Sequence, residues 1–370
     1  MLKELKIRQL FLAFMALGLA SCIQQRDLNG GNGSDTLDTP QGDFIYVASG
    51  ACYAGGATTL TGSQTIARYS LKTGLYERTV ADYFRLAGST TEFPNAIAGY
   101  SDTKLIVGVE TGSTTRRLDL VDTAGNAVQT YLSNATAFNQ VLRHLFMISD
   151  GSVLVSKGAA IPSGTTGAIE KFNSAKARIT QGASPVISNP LTNGAATCTG
   201  SNVSVVASIS LPTTGKILLA HAGTGASRLA MISANGYAAT TDCLATIAAP
   251  VATAMPTAMV RHPSGDVLVA YGSATTSSNY IYSYKVNETT NVINSATLAY
   301  FEPSIVMGAS AMSVDPDTGD VFVANGANTF NSIEKFTYNA TTQTLARVGS
   351  APHISPSVFT RCVSGLHVGP

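Results

Sequence analysis

Only a few side chains in these 370 residues have types and spacings that could do chemistry. There are five cysteines (Cys22, Cys52, Cys198, Cys243, Cys362) and five histidines, with 22 acidic residues spread along the chain. No G-x-S-x-G, H-E-x-x-H, C-x-x-C or G-x-x-x-x-G-K-[S/T] occurs. The patterns that hold a nucleophile on a strained turn, set two imidazoles on one helix face or wrap amides around a phosphate are therefore not written here. Asp315, Asp317 and Asp320 are close enough to suggest oxygen ligands for calcium. D-P-D-T-G-D between two apolar runs is also turn chemistry, and a tight hairpin is the expectation. His144, His221, His262 and His367 share no ligand spacing, and Arg143, Arg261 and Arg361 stand beside apolar runs, where they could make a channel locally positive. No metal, catalytic residue or cofactor is expected from these residues.

Composition narrows the setting. The chain is 45% hydrophobic and 12% charged, with no Trp, about half the charged share of an ordinary soluble domain at roughly 25%. Ser, Thr, Asn and backbone must carry the polar surface, as they do more often outside the cytoplasm than inside it. A net charge of +1 with no basic cluster excludes the electrostatic footprint of a nucleic-acid binder.

Lys3, Lys6 and Arg8 precede an apolar run from Leu10 to Leu19, too short to span a bilayer and of the form of a secretory signal. Leu19-Ala20-Ser21-Cys22 resembles the bacterial lipobox. That resemblance implies cleavage after residue 21, lipidation of Cys22 and anchoring in the cell envelope, with Ile23 favouring the outer membrane. Removing Lys3, Lys6, Arg8 and Glu4 takes away a net +2, so the mature chain carries 1 − 2 = −1, and the lipid rather than charge would hold the membrane. Residues 22–42 are polar and Gly-rich and read as a tether with an rms reach of about 25 Å.

From residue 43 the chain repeats. A turn followed by x-h-h-V-A recurs six times, from Asp43, Lys104, Ser152, Lys216, Asp266 and Asp320. After a variable Gly/Ser/Thr-rich loop each copy continues into an alternating strand: IARYSL, RRLDLV, AIEKF, SRLAMI, YIYSYKV and SIEKFTY. Alternation at period two marks half-buried strands. One further strand precedes each copy and one follows it, so the unit is four strands, repeating about every 55 residues, which is the period of a propeller blade. The first unit lacks its inner strand, and Gly365 to Pro370 aligns with Ala311 to Pro316 and then stops. An all-β, six-bladed β-propeller over 43–370, closed by N- and C-terminal segments in one blade, is the expected fold.

SAMSVDPDTGDVFVANG from Ser310 resembles the repeat of the NHL, YVTN and lactonase-like propellers, which implies the fold and leaves function open. Glu92-Phe93-Pro94-Asn95-Ala96 resembles the P-N-G motif of the gluconolactonase and senescence-marker-protein propellers. There an Asn and carboxylates from other blades hold a divalent metal over the channel. Here Ala96 replaces the Gly, and the equivalent starts (Phe138-Asn139, Met255-Pro256-Thr257, Gly308-Ala309-Ser310) contain no carboxylate, so a turn accounts better for Asn95.

On this blade map Cys52 and Cys362 fall in the first blade and Cys198 and Cys243 in the fourth, so disulfides Cys52–Cys362 and Cys198–Cys243 are expected in an oxidising compartment. The first would close a loop of about 310 residues, for which chain entropy gives roughly 5 kcal/mol. The long segments (49–65, 84–94, 157–167, 185–204, 271–279, 325–331) all emerge on one face, while the other face is expected to have only tight turns. Loops on a rigid scaffold are where binding resides. Tyr53, Phe93, Asn95, Phe138, Asn139, Tyr271, Tyr280 and Phe330 are the candidate partner-binding residues, for a protein or glycan partner. The alternative is a metal-dependent, lactonase-like hydrolase at the channel mouth.

Overall fold

The computed structural model describes residues 44–51, 61–87, 92–111, 115–125, 127–134, 136–158, 167–181, 184–185, 203–223, 227–235, 242–251, 254–272, 279–306, 308–325 and 332–369. The chain falls into two units, 1–41 and 42–370, and only the second contains described residues.

Six antiparallel sheets make a six-bladed β-propeller. From the channel outward, blade 1 is Val363–Gly369, Phe44–Ala51, Thr61–Ser70 and Tyr76–Asp82, and blade 2 is Glu92–Ser101, Lys104–Thr111, Thr115–Asp122 and Val128–Ser133. Blade 3 is Val141–Met147, Val153–Gly158, Gly167–Phe172 and Arg178–Gln181, with a two-residue fifth strand at Ser184–Pro185. Blade 4 is Val203–Ser210, Ile217–Gly223, Arg228–Ile232 and Cys243–Ala248; blade 5 is Met255–Arg261, Val267–Gly272, Tyr280–Tyr284 and Thr297–Tyr300. Blade 6 is Ala309–Val314, Val321–Asn325, Ile333–Asn339 and Thr344–Arg347. Each inner strand touches the inner strands of both neighbours, so the ring closes.

The x-h-h-V-A repeat has a steric origin. Its last residue (Ala48, Gly108, Ser156, Ala220, Ala270, Ala324) pairs inward with Gly365, Ala96, His144, Ala207, Ala258 and Ala311, and outward with Ile66, Leu118, Ile169, Leu229, Ile281 and Ile333. Blades converge at the axis and splay outward. Small side chains therefore fit where neighbouring sheets nearly touch, and Ile or Leu fills the wider gap beyond, as close packing requires. Blade 3 departs from this rule, with His144 where the other blades carry Ala or Gly.

Closure is as the repeat predicted. Phe44 to Ser49 pair with Gly369 back to Val363. Leu366 and Val368 are buried with Ile45, Val47, Ala311, Phe322 and Ala324, and Val368 N–H donates to Ser313 Oγ at 3.0 Å across to blade 6. A strap from Val348 to Cys362 covers this joint. Ile354 bridges to Ile333, and His353 Nε2 lies 3.0 Å from the Leu71 carbonyl.

On the opposite face the expectation of tight turns alone is corrected at blade 5. Its third and fourth strands are joined by an extra hairpin, Val286–Asn287 with Val292–Ile293. Glu288 of that hairpin accepts from the Thr213 and Thr214 amides of blade 4 at 3.0 and 2.9 Å, so the extra chain clamps one blade to the next. D-P-D-T-G-D is a hairpin turn: the Asp317 amide donates to Asp315 Oδ1 at 2.9 Å, the Thr318 hydroxyl to Asp315 Oδ2 at 2.5 Å, and Gly319 supplies φ +77°.

Burial holds the His144 and His367 imidazoles down at about 4, against 6.5 in the unfolded chain, and lowers His262 and His353 as well. The folded protein keeps these rings neutral, so their contribution is complete above pH 6.5 and is lost as the unfolded chain takes up protons between pH 6.5 and 4. At about 1.4 kcal/mol per tenfold change in proton affinity, His144 is worth roughly 2–3 kcal/mol over that window. Melting temperature should fall steeply from pH 7 to pH 4.5, and less steeply in His144→Ala. A flat profile in the parent would contradict the buried placement.

Candidate binding face at the channel mouth

Every inner strand carries one β-bulge at the same height, just inside the loop face. The register skips Ser364, Asn95, Arg143, Val206, Thr257 and Ser310 in blades 1 to 6. An extra residue interrupts the ladder and bends the strand, a device common at barrel rims and functional sites. Here the hydroxyls repair the ladder they break. Thr257 Oγ1 donates to the Ala270 carbonyl at 3.3 Å, Ser310 Oγ to Ala324 at 3.5 Å, and Ser364 Oγ lies 3.2 Å from the Ala48 carbonyl and 2.5 Å from that of Pro94. The Ala270, Ala324 and Ala48 carbonyls belong to the small residues ending x-h-h-V-A, so one position serves packing and bulge together. In blade 3 the bulge pair is Arg143-His144, which puts a guanidinium where the other blades have neutral residues and a neutral imidazole where they have Ala or Gly.

Blade 2 builds a charged cluster behind its bulge. Asn95 Nδ2 donates to Glu110 Oε2 at 2.7 Å, and Arg116 Nη2 to Glu110 Oε1 at 2.8 Å. Next to them Arg117 bridges Glu92, with both Nη atoms at 2.8 and 2.9 Å, and Asp119, with Nε at 2.9 and 3.1 Å. The Glu92 pair raises Arg117 above its usual value; burial raises Asp119, opposed by Arg117. Gln64, in the left-handed region at φ +57°, reaches over from blade 1 and donates to the Glu92 carbonyl at 2.7 Å. Gly50 fits only because it has no side chain, since a Cβ there would lie 2.2 Å from the Pro94 carbonyl oxygen. Both Glu110 oxygens accept protein donors, and Asn95 turns its amide nitrogen to that carboxylate. The arrangement fixes the rim of the mouth rather than presenting an open ligand set. Among the described residues no three His, Cys, Asp or Glu side chains converge as metal ligands.

The candidate residues scatter. Asn95 is buried in the bulge. Asn139 accepts from Lys157 Nζ at 3.1 Å, and Lys157 also donates to the Ala137 carbonyl at 2.5 Å and to buried Glu170 at 2.6 Å. Phe138 and Tyr271, expected on exposed loops, are core side chains. Phe138 is fully buried 5.5 Å from Phe172, and Tyr271 is buried with its hydroxyl 2.7 Å from that of Tyr284. The reason is alternation: Tyr271 lies in the second strand of blade 5 opposite Tyr280, so its side is set by the pleat and not by the loop that follows. Phe93, half-buried, is in the inner strand opposite Glu110. Cys243 is half-buried in the outer strand of blade 4, and Cys362 is buried at φ +54° beside Gly50, whose amide donates to the Cys362 carbonyl at 3.1 Å. Cys22, Cys52, Tyr53, Cys198 and Phe330 lie outside the described residues.

Tyr280 does reach the loop face. Its ring stacks on Phe301 at 4.6 Å and 16°, with Tyr282 6.0 Å away. Tyr280 opens the third strand of blade 5 and Phe301 follows its fourth, so both lie where the loops emerge, and Phe301 is 45% exposed. No spacing in the sequence marked Phe301; pairing of those two strand ends makes the platform.

No protein-family model matches this chain, and no curated protein does. Solved structures match in fold. A Lactobacillus plantarum protein aligns at TM-score 0.54 and 10% identity, over 89% of this chain and 99% of that one. A candidate 6-phosphogluconolactonase from Bacteroides fragilis aligns at 0.51 and 11%, over 91% and 100%. TolB from Acinetobacter baumannii aligns at 0.51 and 11%, over 89% and 67%. At these identities the likeness defines the class, a six-bladed β-propeller, and nothing finer.

Proposed function

We propose that this chain is a cell-envelope binding protein, anchored through a lipidated Cys22, whose loop face docks a protein or glycan partner. The observation that carries the reading is the stacked Tyr280–Phe301 platform, exposed on the face from which the inter-strand segments emerge. Rigid aromatics offer large contact area at small entropic cost. The engaged Glu110 and Asn95 give the hydrolase alternative no comparable support.

Placed in a Cys22→Ala chain, which has no lipid to hold it to membranes, Tyr280→Ser with Phe301→Ser should leave melting near that of the Cys22→Ala chain, because platform tips add little to the core, and should abolish its binding to isolated envelope fractions. If the platform variant binds as the Cys22→Ala chain does, or if the purified parent holds a stoichiometric divalent ion and hydrolyses simple lactones, the hydrolase replaces this reading. Address and oxidation have their own check. Intact-mass analysis should find acyl groups on Cys22, and non-reducing peptide maps should link Cys52 to Cys362 and Cys198 to Cys243. An unmodified N-terminus or crossed links would remove those two elements.

A further inference from the structure

The exposed apolar side chains are not all on the loop face. Leu75, Val358 and Tyr76 are 68%, 58% and 42% exposed, and Phe359 stacks on Tyr76 with centroids 4.8 Å apart at 5°. They form one patch on the rim of blade 1, with Lys72 exposed in the same turn. Phe359 packs inward on the core beside Leu71, and Tyr76 lies edge-on to buried Tyr69 at 5.7 Å, so the core uses the inner sides of these two rings and leaves Leu75 and Val358 as the outward apolar tips.

We propose that this patch rests on a lipid surface. Its position relative to the start of the propeller chooses the occupant. Phe44 pairs with Ser70, the Ser70 amide donates to the Leu75 carbonyl at 3.0 Å, and Tyr69 pairs with Tyr76. With strands about 4.8 Å apart, the point where residues 22–42 join the fold is about 10 Å from Tyr76. A flexible chain of that length reaches about 25 Å, so a lipid on Cys22 would leave this rim within reach of the bilayer. The residue types fit an interface: a tyrosine and a phenylalanine at headgroup depth, Leu and Val below them, and a lysine able to extend to anionic headgroups. The loop face lies at the opposite end of the strands and is turned away from the membrane toward partners. The inference rests on the anchoring of Cys22.

The absence of Trp from the chain makes the test direct. Val358→Trp and, as a control on blade 5, Leu298→Trp are prepared as the acylated full chain and mixed with phosphatidylethanolamine/phosphatidylglycerol vesicles. The Val358→Trp emission should shift to the blue and lose most of its iodide quenching when the chain binds, while Leu298→Trp is unchanged. Acylated chain that sediments with vesicles and leaves the Val358→Trp emission unchanged overturns the patch and spares the anchor. A shift that follows protein concentration without vesicles assigns the patch to a second copy and also overturns it. A chain that carries no acyl mass and stays in the supernatant overturns the anchor, and the patch with it.

Discussion

Deleting residues 365–370 should cost the protein most of its cooperative melting transition, far beyond what six terminal residues are worth in an ordinary tail. The deleted segment is most of the inner strand of blade 1. Its loss unpairs Phe44 to Ala48 on one side, leaves the Ser313 hydroxyl without the Val368 amide, and uncovers the apolar layer formed with Ile45, Val47, Phe322 and Ala324. Burial of Leu366 and Val368 alone is worth about 1.5–3 kcal/mol each, and the unpaired backbone groups add to that. The total is comparable to the roughly 5–15 kcal/mol by which a domain is stable at all. A milder probe acts at the same seam. A Cβ on Gly365 would lie 2.9 Å from Ile97 Cγ2 and 3.1 Å from its backbone nitrogen, so Gly365→Val should also destabilise by pushing blade 1 off blade 2. A truncated chain that melts within a degree or two of the parent would mean that the ring is held shut elsewhere.

That closure was legible because it is a matter of counting. Six copies of x-h-h-V-A with an inner strand missing at one end and left over at the other admit one arrangement. The candidate site was less legible, and the reason is physical. Which side of a strand a residue faces depends on a pleat of period two, and a bulge in every inner strand, with a second shift at Gly99/Ser101 in blade 2, changes that phase. Phe138 and Tyr271 are near loops in the sequence yet face the core, whereas Phe301 follows a short strand and is exposed. The bulge had a weak signature in retrospect, a residue followed by Ala, Gly or His at the same height in six strands (Asn95-Ala96, Arg143-His144, Val206-Ala207, Thr257-Ala258, Ser310-Ala311, Ser364-Gly365). The apolar rim of blade 1 had no signature, because Tyr76 and Phe359 are far apart in the sequence and stack only when the strap lies against blade 1.

Glu170→Gln is expected to be the most damaging single change on a third strand. The I-E-K-F motif of blades 3 and 6 and the L-D-L of blade 2 put a carboxylate at one structural position, opposite Val155, Val323 and Val107. Blades 1, 4 and 5 carry Ala67, Ala230 and Tyr282 there. Each carboxylate has an arginine: Arg178 at 2.7 Å from Glu170, Arg347 at 2.7 Å from Glu334, Arg117 at 2.9 Å from Asp119. Glu170 differs in that it also holds Lys157 at 2.6 Å, whose side chain is only 4% exposed. Burial already lowers the Lys157 ammonium and the glutamate opposes that shift. Removing the negative charge strands a buried cation, a change that costs about 3–5 kcal/mol, whereas removing Lys157 with it leaves only Arg178, which is open to water in part, without its carboxylate and costs much less. The double variant Glu170→Ala with Lys157→Val imitates positions that blade 2 (Val109) and blade 4 (Ala230) already carry, so it should melt closer to the parent than Glu170→Gln does. The single variant should also have a distinctive pH profile. An unpaired buried lysine is depressed in the fold relative to about 10.4 unfolded, so stability rises with pH up to that value as the unfolded chain gives up its proton. Glu170→Gln should therefore recover part of its loss between pH 7 and 9.5, and a deficit that stays constant over that range would show that Lys157 finds water when its partner is gone.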